Sequence, residues 1–285
     1  MKIIGVDIGG SHISAAEVMF SSRNAEIINF QEADVDTFRA KEEIIQDWAA
    51  VIVQAAGNDK ECQIGIAMPG PYDYENGISL IKDQGKMGAL YGLSVKNLLA
   101  EQLAIPAANI SFTNDAEAFL LGESIAGAGK AFQNSIGITL GTGLGSAIKI
   151  HGVVKDGKLW TAPFRDGIAE DYLGTAWFIN YAMDHFGLRL TGVKDLLSTD
   201  FDQEISKKMF LVFGRSLGEF LFPYLERLHC DGVVLGGKIS LAEAYYLPHT
   251  KDYIAVHGYS VPFTISTLGE RAALIGSCLP FLKHQ

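Results

Sequence analysis

The fold is decided by two segments that are almost alike, IGVDIGGS at Ile4–Ser11 and IGITLGTG at Ile136–Gly143. Aligned without gaps over thirteen residues from Ile4 and from Ile136, the two segments are identical at five positions. Each is an apolar run of strand type that breaks into a glycine turn. Because glycine has no Cβ, such a turn can take a positive φ, and a phosphate can approach its backbone N–H groups. The repeat predicts two turns that grip one polyphosphate, although ordinary hairpins would give the same pattern.

Length, charge and cysteine usage limit the class of protein. The chain has 285 residues, of which 48% are apolar, enough for one large domain or two ordinary ones. Its net charge of −10 argues against nucleic acid or an anionic membrane as a partner, because either would need a basic surface. The cysteines Cys62, Cys230 and Cys278 are too scattered for a metal site or a disulfide framework. With no signal peptide and no apolar run of membrane length, we expect a cytoplasmic protein.

Hydrophobic periodicity predicts an alternating α/β chain. Strands are predicted at residues 2–8, 12–20, 26–30, 63–68, 109–113, 232–235 and 262–266. Helices are predicted at residues 37–56, 94–103, 116–126, 168–186, 203–228, 241–246 and 270–279. The first three strands have the pattern of an antiparallel meander. A loop rich in glycine and charge runs from residue 69 to 86, and ordered loops of this length are often functional.

Further motifs accompany the two glycine turns. The sequence MPGP lies at Met68–Pro71, NDA opens a helix at Asn114–Ala116, and LGG lies at Leu235–Gly237. Together with Asp7–His12 and Thr139–Gly145, this ordered set resembles the ROK family of repressors, open reading frames and sugar kinases. That family carries D-I-G-G-T-K, I-P-G-P, N-D-A, T-L-G-T-G-x-G and L-G-G in the same order. It belongs to the ATPase superfamily of sugar kinases, actin and the heat-shock chaperones.

The resemblance implies a fold and a domain organisation. It implies an α/β fold with two ribonuclease H-like domains of the actin-like ATPase type around a central cleft that binds ATP. In such proteins the N-terminal domain is usually completed by the final helix. We therefore expect a small domain at residues 1–114 plus 269–285 and a large domain at residues 115–268. A homodimer is expected by the same analogy.

The resemblance also implies a catalytic base and a metal site. A sugar hydroxyl is a poor nucleophile, so a kinase needs a carboxylate to accept its proton and a cation to neutralise phosphate charge. By resemblance, Asp115 is the base, and Asp7 holds Mg²⁺ through water near the β- and γ-phosphates of ATP. The alternatives are that Asp115 stabilises a helix N-terminus and that Asp7 caps a hairpin.

ATP binding and sugar binding are assigned in the same way. The resemblance implies that Asn114, Asp115 and Glu170 bind the sugar, although Glu170 could equally be a solvated helix residue. The first two turns would donate N–H and hydroxyl groups to phosphate, and the third would leave room for adenosine. The residues assigned to ATP are Asp7, Gly9, Gly10, Ser11, Gly141, Thr142, Gly143, Gly236 and Gly237. Turn geometry alone would also explain the glycines.

Two stretches depart from the family pattern. Many ROK members have a G-E-x-G-H segment whose glutamate and histidine contact the sugar, followed by cysteines that bind structural zinc with that histidine. The corresponding stretch, Gly157–Phe164, contains neither the acid nor the histidine. We therefore expect no structural zinc, and a sugar site with fewer hydrogen-bonding groups. In the first turn Ser11-His12 replaces Thr-Lys, and we interpret His12 as a structural residue.

The sequence thus predicts a glucokinase-like kinase that uses ATP and Mg²⁺ to phosphorylate a hexose or a related sugar. Two alternatives stay open. One is a non-catalytic, sugar-sensing ROK protein, which we expect to lack a DNA-binding segment because Asp7 lies so near the first residue. The other is a kinase for an acceptor that is not a sugar, because one fold supports several acceptors.

Overall fold

A computed structural model of the chain describes residues 1–21, 24–57, 59–82 and 86–282. The strands are β1 (Ile3–Ile8), β2 (His12–Ser21), β3 (Asn24–Asp34), β4 (Gln63–Met68), β5 (Tyr72–Asp73), β6 (Ile78–Ser79), β7 (Ile110–Asn114), β8 (Ser135–Leu140), β9 (Leu144–Ile150), β10 (Val153–Asp156), β11 (Pro163–Phe164), β12 (Gly167–Ile168), β13 (Gly232–Gly236) and β14 (Phe263–Ile265). The helices are α1 (Lys41–Ala56), α2 (Val95–Leu103), α3 (Asp115–Ala126), α4 (Ala169–Leu173), α5 (Thr175–Phe186), α6 (Gln203–Arg227), α7 (Glu243–Val256), α8 (Arg271–Ser277) and α9 (Leu279–Leu282). Within the described ranges, no helix has both the length and the apolar character needed to span a bilayer.

The chain divides into two compact units. Unit 1 comprises Met1–Lys130 and Glu270–Gln285, and unit 2 comprises Ala131–Gly269. The sheet of unit 1 has the order β3-β2-β1-β4-β7, with β1, β2 and β3 antiparallel and β4 and β7 parallel to β1. Strand β1 is buried almost throughout, as expected for a parallel strand covered on both faces. The carboxyl ends of β1, β4 and β7 therefore share one edge of the sheet.

The C-terminal helix α8 packs closely on unit 1, because glycines allow backbone to approach backbone. A Cβ added to Gly5 or Gly65 would lie 2.1 Å from a carbonyl oxygen of α8, and one added to Gly276 would lie 1.8 Å from the Ala118 carbonyl oxygen of α3. From the sequence, the domain boundary was predicted after residue 114. The compact units divide after residue 130 instead, because α3 packs against α8 and so belongs to unit 1.

The sheet of unit 2 repeats the arrangement of unit 1. Its order is β10-β9-β8-β13-β14, with β8, β9 and β10 antiparallel and β13 and β14 parallel to its first strand. Its core contains clustered aromatic side chains, among them Phe178, whose ring centroid lies 4.7 Å from that of Phe213. Helices α6 and α7 also meet at a glycine, because a Cβ on Gly214 would lie 2.2 Å from the Tyr246 carbonyl oxygen.

Two predicted helices differ from those observed. The predicted helix at residues 168–186 is broken at Gly174, where an added Cβ would lie 2.9 Å from the Thr142 carbonyl oxygen of the second glycine turn. The predicted helix at residues 241–246 is longer, since α7 continues through Pro248 to Val256. Burial of its apolar face, which includes Tyr246 and Ile254, outweighs the hydrogen bond lost at the proline.

Candidate active site

The polar residues of unit 1 gather at the carboxyl edge of its sheet. Asp7 is the penultimate residue of β1, and Asn114 and Asp115 stand where β7 becomes α3. The registers Asp7↔Ala67 and Met68↔Asn114 bring these strand ends to one level. The first glycine turn, Gly9–Ser11, follows directly from β1. The structure therefore brings the predicted base, the predicted metal residue and the first turn together within unit 1.

Asp7 lies among other carboxylates. Burial raises the pKa of the half-buried Asp7 carboxyl from 3.8 to about 7, and the charges of Asp115 and Glu270 add to the effect. The sequence analysis missed Glu270, which immediately precedes α8 and is brought to this edge by the packing of that helix. An acid at a helix start was the available signal, but nothing local connects it to Asp7.

This donor set fits a magnesium ion that is held partly by other ligands. Mg²⁺ prefers oxygen donors, keeps several waters, and is commonly bound by one or two carboxylates plus substrate phosphates. Within the described part of the chain, no group of three or more His, Cys, Asp or Glu side chains is arranged as a complete metal cage. Asp7, with Asp115 nearby, fits the binding of Mg²⁺ by one or two carboxylates together with nucleotide phosphates.

Asn114 and Asp115 form different hydrogen bonds at the start of α3. The Asn114 side-chain oxygen accepts from the Glu117 N–H at 3.1 Å, so the helix cap is Asn114. Its amide nitrogen donates to the Tyr74 hydroxyl at 3.0 Å, and that hydroxyl donates to the Met68 carbonyl at 3.1 Å. Asp115 accepts from the neighbouring Ala116 N–H at 2.8 Å and stays half-buried. Capping therefore does not require Asp115.

The first turn needs its glycines for space. Neither Gly9 nor Gly10 has a φ in the left-handed region, so this turn does not use the positive φ that glycine allows. The Gly9 N–H donates to the His12 carbonyl at 2.9 Å, and a Cβ on Gly9 would lie 2.3 Å from the His12 ring. The Gly10 carbonyl accepts from the Thr37 hydroxyl at 2.7 Å, a support that the sequence analysis missed. Ser11 is exposed at the turn.

The second turn lies in unit 2 and is braced by side chains of α4 and α5. The Gly141 N–H donates to the Gly143 carbonyl at 3.1 Å, and the Thr175 hydroxyl donates to the Gly141 carbonyl at 2.8 Å. Thr142 is exposed between the two glycines. Like the first turn, this turn has no glycine with a φ in the left-handed region. A Cβ added to Gly141 would meet no atom within 4 Å.

Glu170 lies against the second turn. Its carboxylate accepts from the Leu144 N–H at 2.9 Å, and its Oε2 would lie 2.3 Å from a Cβ on Gly143. Glycine is needed at residue 143 because this carboxylate fills the space beside it. Glu170 is thus a partner of the turn backbone and is not simply a solvated helix residue.

The third glycine turn adjoins the second within unit 2. Gly236 pairs with Thr139 at the end of β13, and Gly237 follows with a φ of 79°. A Cβ on Gly237 would lie 2.3 Å from the Leu140 carbonyl oxygen, so both conformation and space require glycine here. The positive φ that glycine allows is thus used at the third turn.

The stretch that departs from the family pattern is held by aromatic and ionic contacts. Phe164 packs edge-on against Tyr172 and Phe220, with ring centroids 5.3 and 5.4 Å apart. The Arg165 guanidinium lies over the Phe164 and Tyr172 rings and forms an ion pair with Glu219. These contacts supply a physical basis for holding the short β11–β12 hairpin.

Comparison with known proteins shows the family of the chain. The model of the ROK family matches residues 3–163, which is more than half of the chain. The chain belongs to the ROK family. This ROK chain is 30% identical over 171 residues to a glucokinase of Thermotoga maritima, an alignment covering 60% of the chain and 49% of that protein. It is 24% identical to a beta-glucoside kinase of Klebsiella pneumoniae, covering 99% of the chain and 96% of the relative.

Solved structures establish the fold of this ROK protein. A ROK hexokinase of Thermus thermophilus superposes with a TM-score of 0.79 at 22% identity, covering 100% of the chain and 99% of that protein. A ROK glucokinase of Streptomyces griseus, in complex with glucose and AMPPNP, superposes with a TM-score of 0.77 at 20% identity, covering 98% and 99%. The predicted α/β fold of the actin-like ATPase type is therefore confirmed.

Proposed function

We propose that this ROK protein transfers the terminal phosphoryl group of ATP to a hydroxyl of a hexose or a related sugar. The observation that carries the proposal is the carboxyl edge of unit 1, where Asp7, Asp115 and the first glycine turn lie together. The names of the relatives agree with it, because they include glucokinase and beta-glucoside kinase.

In the proposed reaction Asp115 is the general base. Its carboxylate accepts the proton of the sugar hydroxyl while that oxygen forms a bond to the γ-phosphorus of ATP. The bond from the γ-phosphorus to the β–γ bridging oxygen breaks, and ADP leaves. The hydrogen bond from Ala116 N–H to Asp115 fixes the carboxylate at the start of α3. Asn114, already held by its cap and by Tyr74, would orient a sugar hydroxyl beside the base.

The glycine turns would bind the phosphates of ATP. Gly9, Gly10 and Ser11 would offer backbone N–H groups and a hydroxyl, as would Gly141, Thr142 and Gly143. Gly236 and Gly237 would leave room for adenosine. Asp7 would hold Mg²⁺ through water, and the ion would neutralise charge on the β- and γ-phosphates. The negative charges of Asp115 and Glu270, which add to the effect of burial on the Asp7 pKa, would also favour a cation beside Asp7.

The identity of the sugar depends on unit 2 as well. We propose that Glu170 contributes to sugar binding from its position against the second turn. Because Gly157–Phe164 lacks the acid and histidine of other ROK kinases, we expect weaker discrimination among hexoses. We further propose a homodimer in the cytoplasm without structural zinc.

A sugar panel tests the proposal. The purified protein is incubated with Mg-ATP and single hexoses, amino sugars and β-glucosides, and ADP release is measured with and without each sugar. Sugar-dependent ADP release, with the phosphorylated sugar identified by mass spectrometry, is expected for at least one compound. Saturable sugar binding without any ADP release would favour a sugar sensor over a kinase.

A further inference from the structure

A lysine from the long loop covers the first glycine turn. A Cβ placed on Gly10 would lie 2.4 Å from the Lys86 ammonium nitrogen and 2.5 Å from its Cδ. These distances are far below contact distance, so the Lys86 side chain occupies the space that any side chain at residue 10 would need. The absence of a side chain at Gly10 therefore allows the Lys86 side chain to pack on the turn.

Buried polar contacts hold this arrangement. The Thr37 hydroxyl donates to the Gly10 carbonyl at 2.7 Å, and the Thr37 carbonyl accepts from the Met87 N–H at 2.9 Å. Thr37 and Met87 are both only 1% exposed. The residue that follows Lys86 is thus tied, through one buried threonine, to the turn that Lys86 covers. These two hydrogen bonds fix the backbone next to Lys86 relative to the first turn.

The ion pairs of the described residues do not include Lys86. Within the part of the chain that the structure describes, no carboxylate lies within 4.0 Å of the Lys86 ammonium nitrogen. The Lys86 residue is half-buried, and its stem packs on the first glycine turn. A lysine ammonium with its stem packed on a glycine turn is suited to act as a point charge for phosphate oxygens.

We propose that Lys86 binds the terminal phosphates of ATP at the first glycine turn and stabilises the charge of the phosphoryl group during transfer. This inference rests on the proposed kinase function and adds to it a cation from the protein itself. Lys86 donates hydrogen bonds to phosphate oxygens and undergoes no proton transfer. It complements Asp7, which precedes the same turn in the chain and is proposed to act through the metal.

Nucleotide binding tests the inference without turnover. The affinities of Mg-ATP, Mg-ADP and AMP are measured by calorimetry for the wild type, Lys86→Met and Lys86→Arg. Methionine keeps an unbranched stem over Gly10 and removes the charge. Mg-ATP affinity of Lys86→Met should fall by about tenfold to a hundredfold, as expected for a charge-assisted hydrogen bond, while AMP affinity stays within about twofold. Lys86→Arg should recover most of the loss, because it keeps the charge.

Lys82 supplies the matched control. It is exposed on the same loop, with its ammonium nitrogen 5.7 Å from the centre of the Tyr91 ring, and Lys82→Met removes the same charge from the chain. This variant should bind Mg-ATP like the wild type. Equal Mg-ATP affinity of Lys86→Met and Lys82→Met, with both folded by circular dichroism, would overturn the role of Lys86. So would a loss of AMP affinity as large as the loss for ATP.

Turnover separates this inference from the proposed function. If wild-type protein releases ADP with a sugar and Lys86→Met does so at an undiminished rate and affinity, the kinase stands and the inference fails. If the wild type binds Mg-ATP in a Lys86-dependent way but phosphorylates no sugar, the sugar kinase fails and the phosphate role of Lys86 stands. Absence of Mg-ATP binding by the wild type would overturn both.

Discussion

The first and second glycine turns share a sequence pattern and a strand topology, but their surroundings differ in charge. The first turn adjoins Asp7, whose neighbours include the charged groups of Asp115 and Glu270. The second turn is braced by the Thr175 hydroxyl and by Glu170, which accepts a backbone N–H. The same backbone pattern is thus surrounded by different side chains in the two units. The difference is the reason for proposing the base and the metal residue in unit 1 and a backbone-binding role for Glu170 in unit 2.

The largest effect is expected from a substitution that removes the proposed base of unit 1. Asp115→Asn should lower sugar-dependent turnover by about a thousandfold, because general base catalysis contributes at this scale. Mg-ATP affinity should stay within about twofold. The measurement is steady-state ADP release together with calorimetric nucleotide binding.

Glu117→Gln is the control for charge at the start of α3. Glu117 lies in the same first helical turn as Asp115, so both substitutions remove one negative charge from the helix N-terminus. Only Asp115→Asn should abolish turnover. Equal activity of the two variants would assign Asp115 to helix stabilisation.

The second prediction concerns the helix that brings Glu270 to the first turn. Gly276→Ala places a Cβ 1.8 Å from the Ala118 carbonyl oxygen, so α8 and α3 must separate. The free energy of unfolding in urea should fall by about 3 kcal/mol, and turnover should fall with it as the carboxylates shift. Gly88→Ala, where an added Cβ meets no atom within 4 Å, should change the stability by less than about 0.5 kcal/mol. Similar stability of the two variants would contradict the close packing of α8.

The third prediction uses the raised pKa of Asp7. Because its pKa rises from 3.8 to about 7 on folding, the protonated carboxyl stabilises the fold at low pH, and this stability is lost progressively as the pH rises from about 4 to about 7. Without metal, Asp7→Asn should therefore be more stable than the wild type at about pH 8, by about 3 kcal/mol more than at about pH 5. Urea unfolding at both pH values measures the difference.

Magnesium should alter this third comparison. With Mg-ATP bound, the wild type should regain stability at about pH 8 because the cation favours the charged carboxylate, whereas Asp7→Asn should gain less. The variant should also lose turnover. An advantage of Asp7→Asn that is the same at both pH values would contradict the raised pKa of the Asp7 carboxyl.

The smallest expected effect lies in unit 2. Glu170→Gln keeps an oxygen that can accept from the Leu144 N–H but removes the charge, so the stability should fall by about 1 kcal/mol. If Glu170 binds the sugar, KM for the sugar should rise by about tenfold while KM for ATP changes little. Asp171→Asn is the neighbouring control, because Asp171 accepts from the Ile168 N–H and should affect stability alone. A rise confined to KM for ATP would assign Glu170 to the second turn only.

Much of the fold could be predicted, because local patterns carry it. The strands β1, β2 and β4 and the helix α6 begin and end within a residue or so of the prediction, since their apolar periodicity is strong. The break at Gly174 was missed because this glycine packs against the Thr142 carbonyl of the second turn, 32 positions earlier in the printed sequence. The domain boundary differed for a similar reason, since the partner of α3 is the C-terminal helix α8.

The sequence by itself determined the two glycine turns, the NDA junction at Asn114–Ala116 and the positions of the main strands along the chain, because each depends on neighbouring residues. Only the tertiary structure decided which distant groups face these turns. It brought Glu270 towards Asp7 and Lys86 onto Gly10, and it buried the Asp7 carboxyl enough to raise its pKa. The physical reason is that burial and charge crowding depend on packing between segments far apart in the chain, which no local pattern of residues encodes.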